Sequence, residues 1–174
     1  MTVHCQFHFS VNDVRFSPQG TMLATCSSDG TTVLWDLLTG HKLASFIQPS
    51  RLGVRVVRFS PNASLLVTGG DDESACVWDI AYGRLKLCYS NENSTIFAAE
   101  FTPDGDHIIT GDANGDLGMW SLGNTKRLMH IEEAHDLGVM TLDICTVTSN
   151  EENWDDSSSV QNDFRMATGG NDDR

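Results

Sequence analysis

The sequence predicts an all-β protein built from repeated four-stranded antiparallel units, three of them complete and a fourth truncated. Three observations carry this expectation. One stretch recurs: residues 14–36 read VRFSPQGTMLATCSSDGTTVLWD, 57–79 read VRFSPNASLLVTGGDDESACVWD and 99–121 read AEFTPDGDHIITGDANGDLGMWS. Its internal spacing holds, because Pro18 to Trp35, Pro61 to Trp78 and Pro103 to Trp120 are each 17 residues, and the copies are offset by 43 and then 42. No segment sustains a helical period, while β-branched and aromatic runs alternate with Gly, Pro, Asn and Asp turns.

Within the first copy, 12–16 carries β-branched and aromatic residues, and Ser17-Pro18-Gln19-Gly20 has turn chemistry. The run 22–26 follows, Ser28-Asp29-Gly30 turns, 32–35 is a β-branched strand, and Thr39-Gly40 turns before 42–46. Tyr82-Gly83 and Gly123-Asn124 hold the equivalent last turn in the later copies. A four-stranded unit repeated every ~40–45 residues is the signature of a propeller blade. The expected units are 8–47, 48–90, 91–132 and a truncated 133–174.

These residues resemble the WD-repeat family, whose copies commonly end in Trp-Asp, as Trp35-Asp36 and Trp78-Asp79 do; the third ends in Trp120-Ser121. The resemblance implies a WD-repeat β-propeller fragment, with a structural tetrad of loop His, strand Thr, turn Asp and Trp joined by hydrogen bonds. Copy one offers Thr25, Asp29 and Trp35, with His8 as candidate fourth member, eight residues before Phe16 where nine is usual. Copy two offers Thr68, Asp72 and Trp78, and copy three Thr110, Asn114 and Trp120. Neither has a His at the expected place, so both tetrads are expected to be incomplete. A buried Trp needs an acceptor for its indole N–H, and a Thr oxygen supplies one. An Asp–His–Thr set invites a catalytic reading, but the repetition of the Thr, Asp and Trp positions from copy to copy marks them as scaffold.

A fourth copy starts at AHDLGVMTLDI, 134–144, where His135 lies nine residues before Ile144; Thr168 and Asp172 repeat the spacing of Thr25 and Asp29. Between these parts an acidic, Ser-rich insertion, about 146–163, reads as a flexible surface loop. Its Trp154-Asp155 pair is a decoy, with Ile144 where a Thr is required, and is expected to be exposed or weakly packed. The chain stops two residues after Asp172, before a fourth repeat Trp. It is therefore expected to be part of a longer protein and not a stable soluble monomer.

Net charge is −13, which argues against nucleic acid or an anionic membrane as partner. No apolar run approaches ~18 residues. Five scattered cysteines without a CxxC pair suit a reducing compartment, cytosol or nucleus, and no disulfide framework or zinc site. DANGD, 112–116, lacks the later Glu of a calcium loop. No nucleophile–base pair or phosphate loop stands out, so no catalytic residue, cofactor or metal is expected.

A protein-interaction scaffold follows, with the remaining propeller blades and other proteins as partners. The stretches CSSDGTTVLWD, QPSRLGVRVVRFSP, GDLGMW and EEAHDLGVMTLDI are similar to the propellers of U-box-bearing WD-repeat proteins. That resemblance implies the substrate-recruiting arm of a ubiquitin ligase, binding ubiquitination substrates, with all catalysis in a U-box absent from these residues. The alternatives are a scaffold in an unrelated complex and, less favoured, an enzyme with its site in the propeller channel. Partner choice is expected at variable loop positions on one rim: Ser28, Arg51, Asp71, Asn93, Ala113 and Asn171.

Overall fold

The computed structural model describes residues 9–90, 94–146 and 164–172. Among them there is no helix. The first sheet contains β1 (Val11–Phe16), β2 (Met22–Ser27), β3 (Thr31–Asp36) and β4 (Lys42–Ile47). The second contains β5 (Val54–Phe59), β6 (Leu65–Gly70), β7 (Ser74–Asp79) and β8 (Arg84–Ser90). The third contains β9 (Ile96–Phe101), β10 (His107–Asp112), β11 (Leu117–Ser121) and β12 (Arg127–Ile131), and the fourth β13 (Val139–Thr146) and β14 (Phe164–Gly170). Strand order follows the chain in every sheet, and neighbours pair antiparallel. The expected architecture is therefore present: three four-stranded sheets and one two-stranded sheet.

Side-chain oxygens shape the turns. Ser17 Oγ accepts from the backbone N–H of Thr21 and Met22, Ser60 Oγ from Leu65, and Thr102 Oγ1 from His107. At the next turn Asp29 Oδ1 accepts from Thr31 N at 2.9 Å and Asp72 Oδ1 from Ser74 N at 3.2 Å. In copy three this task moves to Asp112, which accepts from the N–H of Asn114 and Asp116. Asn114 therefore does not replace the Asp of its siblings; its side chain is exposed while Asp112 is buried.

The sheets stack face to face in chain order, with β1, β5, β9 and β13 as successive innermost strands. Ala24, Leu34 and Phe46 of the first sheet bury against Val57, Leu66 and Trp78 of the second. Val67, Val77 and Tyr89 of the second bury against Ala99, Ile108 and Trp120 of the third, and Ile109 and Leu117 of the third against Val139 and Leu142. Each seam is thus a dry layer shared by two sheets, which is why no sheet completes a core alone.

Every innermost strand is bulged at its second residue, where the pairing skips Asn12, Arg55, Phe97 and Met140. A bulge re-aims the unpaired residue and is common beside functional sites.

One expectation is corrected. The scattered cysteines predicted no disulfide, yet Cys76 and Cys88 stand opposite one another across β7 and β8 and are bonded. Their sequence separation of 12 conceals this, because only the strand register makes them neighbours. Trp154-Asp155 and nearly all of the insertion lie outside the described residues.

Candidate functional site

The seams carry the recurring polar network. Trp35 Nε1 donates to Thr25 Oγ1 at 2.9 Å, Trp78 to Thr68 at 2.8 Å and Trp120 to Thr110 at 3.0 Å. In the fourth unit His135 Nδ1 lies 2.9 Å from Asp172 Oδ1 and Nε2 lies 2.9 Å from Thr168 Oγ1. An ionised carboxylate only accepts, so Nδ1 carries a proton, and in the neutral imidazole Nε2 then accepts from the Thr168 hydroxyl. Burial pushes the Asp172 carboxyl up, but hydrogen bonds from His135 and from Asp136 N outweigh this and hold it below the usual range. His8 lies outside the described residues, so the first unit shows Thr25 with Trp35 and Asp29 at its turn.

The second unit is not incomplete as expected. Gln48, 2% exposed, fills the place of the His. Thr68 Oγ1 donates to Gln48 Oε1 at 3.1 Å, and Gln48 Nε2 donates to Asp72 Oδ2 at 3.1 Å. An amide, like a neutral imidazole, has one accepting and one donating end, so the relay from Trp78 to Asp72 is preserved. The signal is hard to read because Gln48 lies eleven residues before Phe59 and His135 nine before Ile144. In the third unit, the described residues bring together Thr110 and Trp120 only; Asn114 stays apart from them.

Above the seams lies a rim. The turns between second and third strands are tied to the linkers entering the innermost strands: Gln48 N to Gly30 O, Asp71 N to Gly53 O, Ala113 N to Thr95 O and Asn171 N to Gly138 O. These bonds place Ser28, Arg51, Asp71, Ala113 and Asn171 on one side of the stack; Asn93 lies outside the described residues. Ser28 and Asp71 are engaged by bulge residues. Ser28 exchanges hydrogen bonds with Asn12, and Arg55 grips Asp71 at 2.7 and 3.1 Å. Ala113 and Asn171 are exposed, as is Arg51, held at φ 59°.

Sequence reasoning missed the residues between them. Leu52 and Leu137 recur in matching Leu-Gly-Val segments and stand 50% and 54% exposed, with Val54 and Val139 buried behind them. Arg55, Phe97 and Met140 line a cavity of about 330 Å³ beside the innermost strands. On the same innermost strands Arg58 pairs with Asp13 of β1 and, at 3.2 Å, with Glu100 of β9, linking three sheets. Burial pushes the Glu100 carboxyl above its ordinary range, with Asp143 adding to this and Phe101 N and Arg58 opposing it. Among the described residues no group of three or more His, Cys, Asp or Glu could hold a metal ion, and no helix is long and apolar enough to cross a membrane.

A stack of four-stranded units, three of them carrying an internal Trp–Thr bond and packed through shared apolar seams, with loops on one rim, defines a propeller-type binding scaffold. The family model described as WD domain, G-beta repeat matches residues 2–36, 38–79 and 83–121, and the chain belongs to that family. It is 43% identical over 168 residues to WD repeat, SAM and U-box domain-containing protein 1 of Homo sapiens, covering 96% of this chain and 34% of that protein. It thus spans about a third of that relative's length. A 39-residue stretch, 22% of the chain, is 49% identical to the guanine nucleotide-binding protein subunit beta of Nicotiana tabacum, covering 10% of it. Among solved structures, U3-55K matches with TM-score 0.73 and the WD40 repeats of RRP9 with 0.74, each at 12% identity over 82% of this chain and 46% of theirs. At that identity the likeness concerns the fold alone.

Proposed function

We propose that this chain is the substrate-recruiting propeller segment of a U-box-type ubiquitin ligase. The coarser statement, a WD-repeat scaffold for protein interaction, stands on the family match. The finer one rests on a single observation, 43% identity along 96% of the chain to a protein whose name carries a SAM domain and a U-box. In this reading the chain supplies recognition and the U-box, elsewhere in the protein, engages a ubiquitin-charged conjugating enzyme. Clients dock on the rim, where Leu52, Leu137, Phe97 and Met140 offer apolar anchors beside the Arg55–Asp71 pair, and the work is done in the cytosol or nucleus.

The test is transfer. The full-length protein, supplied with activating enzyme, conjugating enzyme, ubiquitin and ATP, forms ubiquitin conjugates on itself and on a captured client. Deleting 9–172 leaves self-conjugation and removes client conjugation. A full-length protein without a U-box, or client conjugation indifferent to the deletion, overturns the reading.

A further inference from the structure

Cys76 and Cys88 face each other directly in the antiparallel register, with Cα atoms 4.1 Å apart and the sulfurs bonded. This is the close, non-hydrogen-bonded type of cross-strand pair, in which opposed side chains share one face. The repeat does not itself require a bond here, since the same register positions hold Val33 opposite Ser45 in the first sheet and Gly118 opposite His130 in the third. The two ends of the bond differ in surroundings. Cys88 is exposed on the outermost strand. Cys76 is fully buried, its sulfur 3.5 Å from Gln48 Nε2 and 3.7 Å from Ser74 Oγ, inside the network that holds Trp78. The Cys88 end of the bond is therefore on the solvent side and the Cys76 end in the seam.

We propose that Cys76–Cys88 is a thiol–disulfide exchange site for glutathione-class thiols, and that its state sets how firmly β8 is held on the second blade. In reduction a glutathione thiolate attacks the Cys88 sulfur. The Cys76–Cys88 bond breaks, a Cys88–glutathione bond forms, and Cys76 leaves as a thiolate that takes a proton. A second glutathione attacks the mixed disulfide, releasing the Cys88 thiol and glutathione disulfide. Two electrons pass from two glutathione thiols to the protein; oxidation by glutathione disulfide is the reverse.

With the bond open, the first half of β8 is held mainly by its backbone ladder, because Arg84, Leu85 and Lys86 are exposed and Arg84 stacks on the exposed turn residue Tyr82. The far end stays anchored by Tyr89, whose hydroxyl donates to Ser121 O at 2.7 Å and whose ring lies 5.3 Å from that of Trp120. Cys26 takes no part: burial, with Asp13 adding, pushes its thiol up to about 12, so it stays protonated.

The experiment uses the full chain carrying Cys5→Ser and Cys145→Ser, which removes the N-terminal cysteine and the free thiol exposed among the described residues, equilibrated at graded ratios of reduced to oxidised glutathione. Trypsin separates the two cysteines at Arg84 and Lys86 unless they are bonded. The expected result is a Cys76–Cys88 linked peptide that appears in oxidised buffer and vanishes reversibly in reduced buffer. Amide exchange across 84–88 should be on the order of tenfold faster in the reduced form. Cys88→Ser should match the reduced form at every ratio. Separate alkylation of both cysteines at all ratios, or a linked peptide that forms with no change in amide exchange, overturns the proposal.

Discussion

Gln48 joins the first blade to the second, because it follows β4 in the chain and bonds to Thr68, Asp72 and Ser74 of the next sheet. Removing its amide takes from the buried Thr68 hydroxyl its acceptor and from the partly buried Asp72 one of its donors. An unsatisfied buried group costs about 1–3 kcal/mol. Gln48→Ala is accordingly expected to lower unfolding stability by about 2 kcal/mol in urea titration, while Ser50→Ala, on an exposed partner of the same Asp72, should shift the midpoint far less. Glu100 gives a prediction of opposite kind. Its folded-state pKa is raised above the unfolded value near 4.5, first by burial. A raised carboxyl contributes stability that is fully present below the unfolded pKa and is lost as pH rises through the folded one. The stability difference between Glu100→Gln and the parent should therefore move in favour of the variant from about pH 4 to about pH 7. A difference that stays constant over that window would show that the carboxyl ionises as freely in the folded chain as in the unfolded one.

At the turn between second and third strands, Gly30 and Gly115 hold φ of 81° and 92° while the second sheet places Glu73 there at 61°. A side chain in this region costs ~1–2 kcal/mol, and glycine's unfolded-state freedom returns part of that. Glu73→Gly is expected to stabilise by roughly 0.5–1 kcal/mol. Gly115→Ala should do the reverse by more, since its Cβ would fall 2.0 Å from His135 O, and thermal unfolding of the two variants reads both signs. The same elements show how far sequence reaches. Thr25, Thr68 and Thr110 are legible because a buried Trp requires an acceptor at fixed strand register, and register repeats. Strand boundaries are legible because Pro, Gly and Asp recur at turns whose geometry demands them. The bulges at Asn12, Arg55, Phe97 and Met140 are not, since a bulge is a property of two paired strands and leaves no single-residue mark. Nor is the Cys76–Cys88 bond, which follows from pairing across a turn, or Gln48, whose donor and acceptor ends mimic an imidazole without resembling it in the sequence.

Across the whole stack, one comparison isolates what the first sheet lacks. Phe16, Phe59 and Phe101 hold the same repeat position, yet Phe16 is 66% exposed while Phe59 and Phe101 are 7% and 3%. Val14 likewise is exposed where Val57, Ala99 and Leu142 are buried, and Val11 where Val54, Ile96 and Val139 are buried. The sheets match in sequence and differ in their neighbours among the described residues, so the exposure follows from place in the stack and not from the residues. Apolar patches of this kind drive association when nothing of the same chain covers them. The 174-residue chain alone is therefore expected to self-associate with rising concentration, and Phe16→Asp to move it toward monomer in sedimentation velocity with its strand circular dichroism intact. Phe59→Asp must behave differently: a carboxylate placed in the seam against the first sheet has no partner there, and the expected result is loss of the cooperative transition. If the parent chain sediments as a monomer at all accessible concentrations, or if Phe16→Asp unfolds it as Phe59→Asp does, then the first sheet's face is covered within the chain and the argument from matched positions fails.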